Sequence, residues 1–281
     1  MKKKGIISLL GCGWLGFSLA TSLISKGFVV KASTTTPQKL EVFNRAGIDP
    51  YLVHFDKFIS SPDLKALLEA ETLIITVPPG RKNPDGLNNY KEMIKSICEN
   101  IPKTSISRII FISSTSVYPD ANNIVDEFSD IFPETESGKL LADSEVMLKN
   151  LPVKVIILRL SGLIGPQRMP GNFFAGKTQI PDGQAPVNLI HRNDVINIIH
   201  CLIESSDASG IYNVSAPSHP TKTEFYTLAA EKQNLKLPHF IPEKKSWKII
   251  SSVRLEPELN FKFEIPSLMQ WLYNMKRIKN N

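Results

Sequence analysis

The apolar run Ile6-Ile7-Ser8-Leu9-Leu10 empties into Gly11-Cys12-Gly13-Trp14-Leu15-Gly16, and this Gly-x-Gly-x-x-Gly spacing constrains the fold more than any other stretch. It reads as strand, tight turn and helix. Leu15, Leu19 and Leu23 follow at helical spacing, so the glycines join a buried strand to an amphipathic helix rather than sitting in an arbitrary loop. Gly11 turns the chain sharply, Gly13 admits a pyrophosphate to the backbone, and Gly16 brings the helix close against the strand. The first helical residues, Trp14 and Leu15, then present backbone N–H groups at the positive end of a helix dipole. The expected ligand is a dinucleotide.

A second strand is expected over Phe28 to Ser33, followed by Thr34-Thr35-Thr36-Pro37-Gln38-Lys39. In a dinucleotide fold the tip of this strand meets the adenosine ribose, where an Asp or Glu would bind its hydroxyls. No acid occurs here before Glu41. Ser33, Thr34 and Thr35 are therefore the candidate cofactor contacts. Together with Lys39 and the start of a helix capped by Thr36, with Pro37 at its first position, they favour NADP among the NAD(P) cofactors. The alternative is that the threonines only cap a helix. A third strand, Pro50 to Asp56, puts Asp56 where the adenine would rest, either accepting from its amino group or capping a turn.

Thr72 to Val77 is a continuous apolar run of the kind buried in a parallel sheet, and Pro78-Pro79-Gly80-Arg81-Lys82 leaves its carboxyl edge. Pro78 is a candidate cofactor contact there. Arg81 and Lys82 either meet a substrate phosphate or form a solvated turn.

With 281 residues, 42% of them hydrophobic, the chain can build one large α/β domain with a smaller lobe. The formal charge of +6 includes Lys2, Lys3, Lys4, Lys276, Arg277 and Lys279 at the two ends. The remaining bases are interspersed with acids, which describes a solvated surface rather than a nucleic-acid stripe. Cys12, Cys98 and Cys201 lie far apart without metal-ligand spacing, which predicts free thiols, no metal and a cytoplasmic location. Lys2 to Cys12 superficially imitates a lipoprotein signal, but its apolar stretch is too short. No stretch reaches the roughly 18 apolar residues of a membrane span, so no membrane association is expected.

Arg108 to Ile112 begins a fifth strand that runs into Ser113-Ser114-Thr115-Ser116-Val117-Tyr118. Together with the glycine turn, this resembles the extended and atypical short-chain dehydrogenase/reductases, the nucleoside-diphosphate-sugar epimerases and dehydratases. Three later segments agree over nearly the whole chain: Leu158-Arg159 through Gly165-Pro166, Asn188-Leu189-Ile190-His191-Arg192-Asn193-Asp194, and Gly210 to Ser215. The resemblance implies that Ser113 lies at the cofactor and that Ser114, four residues before Tyr118, holds a substrate carbonyl or hydroxyl. A strand-end turn satisfying its own backbone is the plainer reading of the same hydroxyls.

The resemblance also implies a Tyr-x-x-x-Lys pair about 25 residues on, whose Lys lowers the Tyr pKa. Aligned by Ala142-Asp143-Ser144-Glu145, the tyrosine position holds Ser137 and the lysine position Leu141, while Lys139 lies on another helix face. A serine hydroxyl cannot replace a phenolate. Tyr118 is expected to pack under its loop. His191 is the second candidate catalytic residue, as a replacement acid or base, unless it and Asp194 form a fixed structural pair.

The Pro- and Gly-rich stretch from Pro166 to Pro186 leads toward a smaller lobe. The expected architecture is an α/β Rossmann-type, doubly wound parallel sheet over residues 1–165 and a smaller substrate-binding lobe over 166–281, with 187–215 returning to the first domain. The expected function is that of an NAD(P)-dependent oxidoreductase or epimerase/dehydratase. It would take a sugar nucleotide or small carbonyl or hydroxyl substrate, as a monomer or homodimer. The alternative is a catalytically silent NAD(P)-binding redox sensor or regulator.

Overall fold

The computed structural model describes residues 4–54, 62–80 and 85–275. The chain opens as β1 (Lys4–Leu10), α1 (Trp14–Ser25), β2 (Phe28–Thr34), α2 (Lys39–Arg45) and β3 (Asp49–Leu52). It continues through α3 (Pro62–Leu67), β4 (Thr72–Ile75), α4 (Gly86–Asn100) and β5 (Arg108–Ser114). Then come β6 (Asn123–Val125), α5 (Glu136–Lys149), β7 (Lys154–Leu160), β8 (Gly162–Ile164), β9 (Leu189–His191), α6 (Arg192–Glu204) and β10 (Gly210–Val214). The last elements are α7 (Lys222–Lys232), β11 (Lys248–Ile250), α8 (Leu255–Leu259) and α9 (Leu268–Asn274).

Seven strands form one sheet in the order β10-β7-β5-β4-β1-β2-β3, a doubly wound parallel arrangement, as expected. Its central strands are apolar on both faces, because helices cover both: in β4, Leu73, Ile74 and Ile75 are wholly buried. Helix α1 lays Leu15, Leu19 and Leu23 into the core. Burying each of these contributes roughly 2 kcal/mol, so tertiary packing rather than propensity holds the helix that carries the glycines. Two small parallel sheets, β6 with β11 and β8 with β9, complete the strand pairing.

The chain divides into two compact units. The first comprises residues 1–117, 133–159 and 206–211; the second comprises 118–132, 160–205 and 212–281. The second has its own core, built on Ile164, Leu189, Phe225, Ala229, Leu268 and Leu272. Within it, Asn188 bridges to the main chain of β11, donating to Lys248 O at 2.9 Å and accepting from Ile250 N at 2.9 Å.

One local expectation fails. Helix α2 begins at Lys39 with Gln38 before it, not at Pro37 behind a Thr36 cap. The Thr36 carbonyl instead accepts from Lys39 N at 3.0 Å and that of Pro37 from Leu40 N at 3.1 Å, so a tight turn occupies what would have been the first helical turn.

Candidate functional site

The three glycines differ in what surrounds them. Gly11 has φ +94°, a conformation that favours glycine, and a Cβ there would also lie 2.5 Å from Val77 Cγ2. At Gly16 a Cβ would lie 2.5 Å from Gly11 O and 3.2 Å from Thr76 Oγ1, so helix and turn are in backbone contact. At Gly13 a Cβ would meet nothing within 4 Å, and the residue is exposed. Gly13 is the N-cap of α1 and brings no side chain to satisfy the first-turn N–H groups. Backbone donors beside open space are what an approaching pyrophosphate requires.

Leu15 is buried as part of the core and Trp14 is half-buried. Burial pushes the Cys12 thiol up to about 12, and the Lys39 charge draws it partly back. A thiol so placed stays neutral and unreactive.

At the end of β2 the hydroxyls have separate employments. Ser33, 3% exposed, accepts the Gly11 N–H at 2.8 Å. Thr34 accepts from Thr36 N at 3.1 Å. Thr35 and Lys39 are exposed, and so is Pro78 beyond β4. Asp56, Arg81 and Lys82 lie outside the described residues.

The hydroxyl cluster after β5 is likewise divided. The Ser113 hydroxyl is buried and donates to Glu145 Oε1 at 2.6 Å. Glu145 is held by Arg159, whose Nη2 donates to Oε2 at 2.6 Å and whose Nε donates to Oε1 at 3.1 Å. Both charged side chains are nearly inaccessible, 3% for Arg159 and 2% for Glu145. Ser114 accepts from Ser116 N at 3.1 Å, the local turn bond foreseen as the plainer reading, and its own proton stays available to a ligand. The Ser116 hydroxyl is buried with no hydrogen-bond partner among the described residues.

Helix α5 starts beside this cluster, capped by Thr135, whose Oγ1 accepts from Gly138 N at 3.1 Å. A Cβ on Gly138 would lie 2.6 Å from Ser116 O, so the first turn of α5 abuts the strand end. Ser137, Leu141 and Glu145 share one helix face at four-residue intervals, and all three are buried. Ser137 meets Thr135 Oγ1 at 3.3 Å, and Leu141 is 3% exposed. No phenolate and no ammonium stand at the two positions where the resemblance looks for them.

The remaining sequence candidates are fixed in the second unit. Tyr118 is 1% exposed and donates to Asp126 O or Asn213 Oδ1, each at 2.9 Å, so it packs rather than reacts. His191 is the N-cap of α6: its Nδ1 accepts from Asn193 N at 3.2 Å, and its ring lies 5.3 Å from that of Trp271. Burial lowers its pKa, which keeps the ring neutral with its proton assigned to Nε2. Asp194 does not pair with it. Its carboxylate accepts from Glu264 N at 2.6 Å and Ile265 N at 3.2 Å, and burial raises its pKa to about 6.

Sequence reading passed over Thr76, which donates to the Gly11 carbonyl, and the partners that Ser113 finds in Glu145 and Arg159. Among the described residues no group of three or more His, Cys, Asp or Glu could hold a metal ion, and no helix is long and apolar enough to cross a membrane.

No protein-family model matches the chain. Protein YeeZ of Escherichia coli K12 is 42% identical over 271 residues, covering 95% of this chain and 97% of that protein. Among solved structures, a short-chain dehydrogenase/reductase superfamily protein from Agrobacterium tumefaciens with bound NAD matches with a TM-score of 0.79. The identity is 15%, over 96% of this chain and 95% of that one. UDP-glucuronic acid 4-epimerase from Bacillus cereus, in complex with NAD, also matches with a TM-score of 0.79, at 17% identity over 96% and 95% of the two chains. The fold is thus that of the short-chain dehydrogenase/reductase superfamily, and by its identity to YeeZ the chain belongs to the YeeZ family.

Proposed function

We propose that this protein binds a nicotinamide adenine dinucleotide at the turn between β1 and α1. In this reading it acts on a sugar nucleotide or a small carbonyl or hydroxyl compound, as an oxidoreductase or epimerase/dehydratase with an atypical site. One observation carries the proposal: Gly11 is required by conformation, Gly16 by contact and Gly13 only by the open space beside it. A bland turn has no need of that third glycine. The sugar-nucleotide class is supported by the likeness in fold to a UDP-glucuronic acid 4-epimerase.

The first turn of α1 would hold the pyrophosphate, and Thr35 and Lys39, exposed past β2, would meet the adenosine end. With no carboxylate from Ser33 to Lys39 to bind a ribose diol, a 2′-phosphate is the better partner and NADP the preferred cofactor. When bound, the nicotinamide supplies the hydride chemistry. Ser114 would donate a hydrogen bond to the substrate oxygen, while Ser137 and Leu141 move no proton. General acid–base catalysis contributes roughly 10²–10⁴-fold, and a site without it is correspondingly slow unless another group serves.

Buried Ser137 and Leu141 also favour a second reading, a catalytically silent dinucleotide sensor. Calorimetric titration with NADP+ and NAD+ comes first: NADP+ binds more tightly, Lys39→Ala narrows the gap, and Gly13→Asp abolishes binding of both. Failure of the wild type to bind either cofactor refutes the proposal. Turnover across a panel of sugar nucleotides and carbonyl compounds then separates enzyme from sensor.

A further inference from the structure

Ser33 and Thr76 hold the glycine turn from its two sides. Ser33 ends the exposed part of no surface; it is 3% exposed and takes two donors from the turn, the Gly11 N–H on its Oγ at 2.8 Å and the Cys12 N–H on its carbonyl at 2.9 Å. Thr76, just past β4, works on the acceptors: its main-chain N–H donates to Leu10 O at 2.9 Å and its hydroxyl donates to Gly11 O. Strands β2 and β4 flank β1 in the sheet, so the turn is bracketed by one hydroxyl residue from each neighbour. The carbonyl that Thr76 holds is the one lying 2.5 Å from where a Cβ of Gly16 would stand, and it also accepts from Gly13 N at 2.9 Å. Fixing it therefore fixes the spacing between turn and helix.

We infer that Ser33 and Thr76 are positioning residues for the dinucleotide site, setting the Gly11–Gly13 backbone in its binding conformation through their hydroxyls without themselves touching the ligand. The inference rests on the dinucleotide reading and reassigns Ser33, which the sequence suggested as a direct contact at the ribose. Preorganisation is the physical content. A turn whose N–H and C=O directions are set in advance loses little entropy on binding, whereas a loosened turn must be ordered by the ligand.

The test compares Ser33→Ala, Thr76→Val and Thr76→Ser by calorimetry with NADP+ and with NAD+, and by residue-resolved amide hydrogen exchange of the ligand-free proteins. Ser33→Ala and Thr76→Val are each expected to weaken both cofactors by the same factor, roughly tenfold, the size of one hydrogen bond of about 1.4 kcal/mol. Thr76→Ser restores most of what Thr76→Val loses. Because both residues act on one turn, the double variant loses less than the product of the single losses. Exchange of the Gly11 amide accelerates in Ser33→Ala. A loss confined to NADP+ in Ser33→Ala makes Ser33 a 2′-phosphate contact and overturns the inference, as do unchanged affinities. If the wild type binds neither cofactor, the dinucleotide reading fails separately. Gly11 exchange then decides alone, with unchanged protection in Ser33→Ala refuting the latch.

Discussion

Replacing Gly13 and Gly16 by alanine separates folding from binding. At Gly13 the backbone has φ −84° and ψ −150°, extended values open to alanine, and the new methyl meets nothing within 4 Å. Loss of a glycine from the unfolded chain stabilises by about 0.4–1 kcal/mol, and alanine at an N-cap costs a similar amount. The two nearly cancel. At Gly16 the methyl would lie 2.5 Å from Gly11 O and 3.2 Å from Thr76 Oγ1, so a hydrogen-bonded backbone carbonyl must shift. Overpacking costs about 1–3 kcal/mol, and about 2–3 kcal/mol here because the displaced atom is backbone, offset by about 1 kcal/mol of helix propensity. A net loss of roughly 1–2 kcal/mol lowers Tm by about 2–6 °C in a chain of this size. Thermal unfolding followed by circular dichroism, with calorimetric titration of NADP+ on the same samples, reads both effects. Gly13→Ala keeps the wild-type Tm within about 2 °C and loses at least about tenfold in affinity, or 1.4 kcal/mol. Gly16→Ala loses Tm first. Wild-type affinity in Gly13→Ala refutes the assignment of the open space to the pyrophosphate, and an unchanged Tm in Gly16→Ala refutes the contact argument.

Removing the Glu145 charge with Glu145→Gln strands Arg159 in the core and destabilises by about 3–5 kcal/mol, as chemical denaturation will show. Glu145→Gln with Arg159→Met recovers much of that loss. His191→Ala costs about 1 kcal/mol as a lost helix cap, and His191→Asn, a good cap without acid–base chemistry, restores it in the same assay. Burial favours neutral His191, so the folded state binds fewer protons than the unfolded chain just below pH 6.5; its contribution to stability is present above that value and declines as pH falls. Asp194 has the opposite sign: its pKa is raised to about 6 from 3.8, so stability falls as pH rises from about 4 to about 6 and is level above. Asp194→Asn removes that slope from a plot of unfolding free energy against pH.

The glycine turn was legible because its signature lies within eleven consecutive residues and a period-3.6 apolar stripe confirms the helix that follows, whereas the bonds it makes to Ser33 and Thr76 come from distant strands and left no local trace. Sheet strands from Phe28, Thr72 and Arg108 were legible for the same local reason. Ser33 was picked out, but its bond from the Gly11 N–H was not, since nothing in the sequence tells whether an acceptor lone pair of a hydroxyl at a strand tip faces a neighbouring turn. Ser113 depends on a carboxylate 32 residues away, which in turn depends on Arg159, 14 residues further on. Spacing carries no signal for such a pairing. His191 and Asp194 stand close in sequence, yet one caps its own helix while the other reaches a segment 70 residues downstream. Adjacency suggested a pair, and helix geometry directed the two side chains to different donors.

The order in which the two units are written into the chain bears on how the protein is made. The chain passes from one unit to the other after residues 117, 132, 159, 205 and 211, so neither unit is a continuous segment that synthesis could finish alone. Strand β10 forms the edge of the main sheet beside β7, yet it emerges only after residues 160–205 of the second unit. At roughly 5–20 residues per second, β7 waits about 3–11 seconds for its neighbour. During that interval an apolar strand presents unpaired N–H and C=O groups to whatever nascent chain lies nearby. Ribosomal pausing, or truncation anywhere between β7 and β10, would thus leave the main sheet with an open apolar edge at β7.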